Sequence, residues 1–128
     1  MKKKNSKIIK YLFVGGVGQL TDYSATLLLI SISKNIFYSN LLGYIIGSIL
    51  TYIGHTKYTF KKNSRKLSSK LQILLFSASC INGIIVGYFI LKILIQTGTS
   101  LSHSKIIQLI FIAITQYLFN SKLTFNLK

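Results

Sequence analysis

Acidic residues are all but missing from this chain of 128 residues: Asp22 stands alone against sixteen lysines and arginines. Proline is absent, and cysteine occurs once, at Cys80. A single acid excludes any chemistry built on paired carboxylates and leaves the serines without an acid-bearing triad. A single cysteine excludes an intrachain disulfide framework. Within its apolar run, Cys80 reads as a small buried hydrophobe. Two histidines and one cysteine fall in different segments, so no clustered metal-ligand set forms. No catalytic arrangement emerges, and neither an enzyme nor a cofactor is expected.

Charge of either sign is also scarce. Charged residues make up 13% of the chain, against about 25% in ordinary soluble domains. What remains is basic, giving a formal charge of +15, and half the residues are hydrophobic with positive mean hydropathy. A nucleic-acid binder would also be basic, but it spreads its cations along an exposed face. Here they fall in short clusters between long stretches almost free of charge, so a membrane protein is expected and nucleic acid is not a partner.

Residues 1–10 carry Lys2, Lys3, Lys4, Lys7 and Lys10 ahead of an apolar run. The run is too long for a signal peptide and lacks an Ala-x-Ala-like cleavage site. A membrane crossing needs about 20 residues at 1.5 Å each. On that measure four membrane helices are expected, at about 8–33, 37–55, 71–95 and 105–120. The loops are too small for a separate soluble domain, so residues 1–128 form one membrane domain. Counting lysine and arginine, five at the N-terminus, six in the middle loop and two in the tail lie on one side. Lys34, Lys92 and Lys105 lie on the other. The bias places both termini in the cytoplasm.

The chain also repeats itself. At a separation of 65, Tyr52, Lys57, Thr59 and Phe60 match Tyr117, Lys122, Thr124 and Phe125, with His55 opposite Asn120 and Thr56 opposite Ser121. At a separation of 63, Lys7, Phe13 and Gln19 match Lys70, Phe76 and Asn82. Each unit holds two crossings, so both enter from the same side. The expected fold is all-α, with two tandem two-helix repeats around a pseudo-twofold axis along the membrane normal.

Counting from a membrane entry near Tyr11, Asp22 lies about 11 residues or about 16 Å deep, near the bilayer centre. An acid there costs about 2.5–3.5 kcal/mol on insertion scales, and such acids are functional candidates. Gly15, Gly18, Gln19, Asp22 and Thr26 share one helical face. Tyr44, Gly47, Ser48, Thr51 and His55 form a similar face on the second helix, and Asn82 and Gln116 add amides to the other pair. One reading makes these glycines and polar groups helix-packing elements with interhelical hydrogen bonds. The other makes Asp22, Gln19, Asn82 and Gln116 an intramembrane polar contact for a substrate. The segment Val14-Gly-Gly-Val-Gly-Gln-Leu is not a dinucleotide loop, because that motif needs a preceding strand and an acid about 20 residues on. Lys57 and Lys122 sit at helix ends. Snorkelling and the positive-inside bias account for such lysines. Alternatively they capture an anionic headgroup, lysine acting as a compact charge on phosphate. His55, Asn120, Thr59 and Thr124 would then supply hydrogen bonds, and the two lysines could flank one phosphate near the axis. His103 reads as a solvated residue of the outer link.

Four stretches stand out together: Tyr11-Leu-Phe-Val-Gly-Gly-Val-Gly through Asp22, Tyr52 to Phe60, Leu75-Phe-Ser-Ala-Ser79, and Asn120-Ser-Lys-Leu-Thr-Phe125. In this order and spacing they resemble the GtrA-like membrane proteins. Family members typically carry Asn before the basic residue at both helix ends; here the second helix carries His55, and Leu123 replaces a common aromatic. The resemblance implies a four-helix protein of the cytoplasmic membrane that moves polyprenyl-phosphate-linked sugars, such as undecaprenyl-phosphate glucose, to the outer leaflet. There a separate glycosyltransferase decorates O-antigen, teichoic acid or another wall polymer. Similar domains fused to polyprenyl-phosphate sugar synthases imply an alternative, a scaffold that anchors an enzyme without transporting anything. A small ion-coupled transporter using Asp22 is a third reading. For a flippase, the lipid-linked sugar and membrane lipids are the ligands, and homodimerisation is one way to enclose the path.

Overall fold

The computed structural model describes residues 2–59, 68–120 and 122. They form four α-helices: α1 (Lys2–Ser33), α2 (Ile36–Gly54), α3 (Ser69–Gln96) and α4 (Leu101–Phe119). A π-helical turn, His55–Thr59, extends α2. The chain divides into two compact units, Met1–Leu67 and Ser68–Lys128.

In the first unit α1 and α2 make a tight helical hairpin. Lys34 takes a left-handed conformation (φ 57°) that ends α1. Asn35 then caps α2, its side-chain oxygen accepting from the Tyr38 N–H at 3.0 Å, which satisfies one of the orphan donors of a helix start. Small residues at four-residue spacing let the helices meet backbone to backbone. Gly18, Asp22 and Thr26 of α1 face Gly43, Gly47 and Thr51 of α2. A methyl group added at Gly47 would lie 2.6 Å from the Gly18 carbonyl oxygen and 2.8 Å from Asp22 Cβ. This is the small-residue seam by which membrane helices associate when no solvent drives them together.

In the second unit Ser68 caps α3, its hydroxyl accepting from the Leu71 N–H at 3.3 Å. α3 ends in a Schellman turn: Gly98 sits at φ 84°, its N–H reaches the Ile95 carbonyl at 3.1 Å, and the Thr99 N–H reaches the Leu94 carbonyl at 3.1 Å. Only glycine enters that backbone region without strain. Ser100 then caps α4, so this helix begins at Leu101, four residues before the expected start at 105. His103 therefore lies in the first turn of α4, exposed and 2.5 Å from Ser100 Oγ, rather than in the link. Across the hairpin, Gln108 Nε2 donates to the Gly87 carbonyl at 2.8 Å.

Burial is inverted relative to a soluble protein. Among the described residues, twelve polar or charged side chains are buried against six apolar ones, while Phe13, Leu20, Leu28 and Ile32 are largely exposed. Water-soluble domains keep such polar groups outside, so the medium around this chain is hydrocarbon. Ile36–Thr59 and Lys70–Gln96 are each long and apolar enough to cross a membrane. In α1 and α4 the apolar run is diluted by Gln19 and Asp22 and by Lys105, Gln108 and Gln116, all of which are half-buried or buried while apolar neighbours face outward. The protein is an all-α membrane protein with four helices.

Candidate functional site

The end of α2 is built around His55. Its backbone N–H is shared between the carbonyls of Thr51 and Tyr52, and the chain widens from α into π geometry over the next five residues. Such π segments recur at functional sites. His55 and Thr59, one turn apart, are buried, and His55 Nδ1 lies 3.1 Å from Thr59 Oγ1. The imidazole is stacked on the Tyr11 ring of α1, with centroids 4.2 Å apart and planes 13° from parallel. Thr56 donates to the Tyr52 carbonyl at 2.8 Å. With one face of the turn fixed in this way, Lys57 and Tyr58 on the other face are exposed. The arrangement is an anchored turn presenting a cation beside an aromatic.

The second unit ends in a comparable way. Asn120 is buried, and its N–H is shared between the carbonyls of Gln116 and Tyr117, the same offsets as at His55. Lys122, two residues on, is exposed. Thr124 lies outside the described residues.

Deeper in the first unit, Asp22 is buried and accepts a hydrogen bond from Thr26 Oγ1 at 3.1 Å. It belongs to the glycine seam, so its first role is local: the carboxylate and the threonine hydroxyl satisfy each other where two backbones meet. Gln19 is half-buried one turn away, and Gln116 is half-buried in the second unit. Asn82, by contrast, is exposed on α3. The correspondence of Gln19 with Asn82 in sequence is thus not matched by equal burial. Gly15, placed with the seam from its spacing, has open space where a side chain would be, with nothing within 4 Å of an added methyl.

Three buried polar groups were not legible as candidates. Lys105, counted above as a charge of the outer side, is 1% exposed. It shares a face of α4 with Ser104, Gln108 and Ile112, all buried. The signal was available in their three- and four-residue spacing, but a lysine near a helix start also fits a solvated position. Ser79 Oγ and Gln108 Oε1 are buried and have no hydrogen-bond partner among the described residues. No group of three or more potential metal ligands occurs among the described residues.

An inverted, helical chain whose seams are lined by small and polar residues, with lysines displayed at helix ends, defines a helical membrane protein. The family model for the GtrA/DPMS transmembrane domain matches residues 10–125, and the chain belongs to that family. Members act in polyprenyl-linked sugar translocation and glycosylation and are generally flippase-like rather than enzymes. Comparison with curated proteins and with solved structures gives no match.

Proposed function

We propose that this protein flips a polyprenyl-phosphate-linked monosaccharide across the cytoplasmic membrane, supplying a glycosyltransferase that decorates a surface polysaccharide such as teichoic acid or O-antigen. The observation that carries the proposal is the exposed Lys57 on a π turn locked from behind by His55, Thr59 and Tyr11, in a chain of this family. A lipid phosphate needs a fixed cation at the interface, and a lysine on an anchored turn loses less freedom on binding than one on a frayed end. Lys122, following buried Asn120, offers a second such cation. The lysine and arginine bias favours an orientation with both ends of the chain, and hence Lys57 and Lys122, facing the cytoplasm.

Within the membrane, a sugar would be met by the polar groups of the helices, with Gln19, Asp22, Gln116 and exposed Asn82 as the residues available. An undecaprenyl carrier, a glycosyltransferase partner and a homodimer are parts of this reading.

The deciding experiment is reconstitution. Purified protein in liposomes is expected to accelerate the flipping of labelled polyprenyl-phosphate glucose, and Lys57→Ala with Lys122→Ala is expected to abolish that acceleration while the protein remains folded. No acceleration, together with stable binding of a polyprenyl-phosphate glycosyltransferase, would establish the scaffold reading instead.

A further inference from the structure

The first hairpin carries a groove of about 540 Å³ between α1 and α2. Phe13 and Val17 of α1 form one wall and Leu50 and Ile53 of α2 the other, with Val14 and Gly54 at the floor. Gly54 makes the floor possible: a methyl there would meet Val14 Cγ1 at 2.5 Å. The walls face the surroundings, Phe13 being 73% exposed. Two polar side chains line the groove, Lys10 and Tyr58. Both lie at the end of the hairpin where Tyr11 stacks on His55 and where Lys57 is displayed. From Lys10 to Val17 the groove follows α1 for about 10 Å at 1.5 Å per residue.

We propose that this groove holds the phosphate-proximal isoprene units of the lipid-linked sugar phosphate, with Lys10 at its mouth beside the phosphate. The inference rests on the flipping reading above and adds to it the part of the substrate that stays in hydrocarbon. The volume lies within the range of about 300–1,000 Å³ typical of small-molecule sites. The groove is a single cleft, apolar along its length, with a cation at one end. Its complement is one hydrocarbon chain ending in an anion. A two-chain phospholipid would leave its second chain outside. The mouth is continuous with the turn that bears Lys57, so a phosphate held by Lys57 starts its tail at Lys10 and Tyr58. Lys10 and Lys57 then meet the same headgroup from α1 and from the π turn.

The test uses the full chain in nanodiscs, with undecaprenyl phosphate and phosphatidylglycerol as probes and retention read by native mass spectrometry. Val17→Trp and Ile53→Trp each fill the groove from a side chain that is more than 40% exposed; Leu28→Trp, on another exposed stretch of α1, is the control. Wild type and the control are expected to retain undecaprenyl phosphate in preference to phosphatidylglycerol. Either groove variant should lose about tenfold in affinity, and Lys10→Gln a similar amount, tenfold corresponding to about 1.4 kcal/mol. Two groove variants guard against one failing to fold, which circular dichroism reveals. Undiminished retention by a folded groove variant overturns the inference and leaves the flipping reading standing. Equal competition by phosphatidylglycerol also overturns it, the groove then being a seat for bulk lipid. Failure of the wild type to retain undecaprenyl phosphate defeats both.

Discussion

The Tyr11 ring lies flat against the His55 imidazole, 4.2 Å between centroids, so the first helix of the chain holds the last turn of the second. An aromatic pair of this kind is worth about 0.5–1.5 kcal/mol beyond its buried area, and the contact between His55 Nδ1 and Thr59 Oγ1 adds about 0.5–1.5 kcal/mol. His55→Ala is therefore expected to cost about 1–3 kcal/mol on these two contributions, read from unfolding in micelles. A double-mutant cycle with Tyr11→Leu should return a coupling of about 0.5–1.5 kcal/mol. His55→Asn, which installs the residue found at position 120, is expected to keep the turn and its lysine in place, leaving the proposed flipping unchanged in the liposome assay.

The glycine seam predicts a contrast between two glycines of similar appearance in the sequence. Gly47→Val places branched carbon against the Gly18 carbonyl and Asp22, and should destabilise by about 1–3 kcal/mol, as overpacking does. Gly15→Ala meets open space and gains helix propensity, so its unfolding midpoint should stay level or rise slightly. A seam that tolerated Gly47→Val without loss would mean the helices are held apart in the working protein.

At the lysines, charge-assisted contacts to phosphate are worth about 1.5–3 kcal/mol. Lys57→Ala or Lys122→Ala should each weaken binding of a polyprenyl phosphate by about 10- to 100-fold. Arginine at either position should retain much of the affinity, since the charge remains. Binding at 0.5 M salt should be weaker than at 0.1 M, because an exposed lysine is screened. Titration in nanodiscs checks all three.

The buried Ser79 hydroxyl has no partner among the described residues. An unmet hydroxyl contributes nothing to offset its desolvation, so Ser79→Ala should be neutral or stabilising in thermal unfolding. Gln108→Leu removes both the bond to the Gly87 carbonyl and the unmet Oε1. Its net cost should be small, near the average of about 0.6 kcal/mol for interhelical polar contacts in membranes.

Much of this was legible in the residues. Four helices followed from apolar runs of membrane length, and spacing alone put Gly18 and Gly47 each on a small, polar stripe of its helix; the structure sets those stripes against one another. His55 and Asn120, paired by a separation of 65, both prove to be buried residues that immediately follow the last α-helical position. What was not legible has physical causes. The burial of Lys105 went unseen because composition gives a lysine its charge but not its neighbours. Asn82 aligned with Gln19, yet a match in sequence carries no information about which way a helix is turned. The start of α4 was set too late because hydrophobicity begins at Ile106, whereas the helix begins at its serine cap, Ser100.

The seam has a mechanical consequence. With the Gly18 carbonyl facing the α-carbon of Gly47 and a two-residue link at the far end, α1 and α2 can neither slide nor roll past one another without a clash. The pair behaves as one thick strut. At its open end the wider π ladder replaces α geometry, and there the Tyr11 ring on His55 braces the turn on which Lys57 is mounted. A strut braced at that end holds the backbone of Lys57 at a set position relative to the seam, leaving only the lysine side chain to swing.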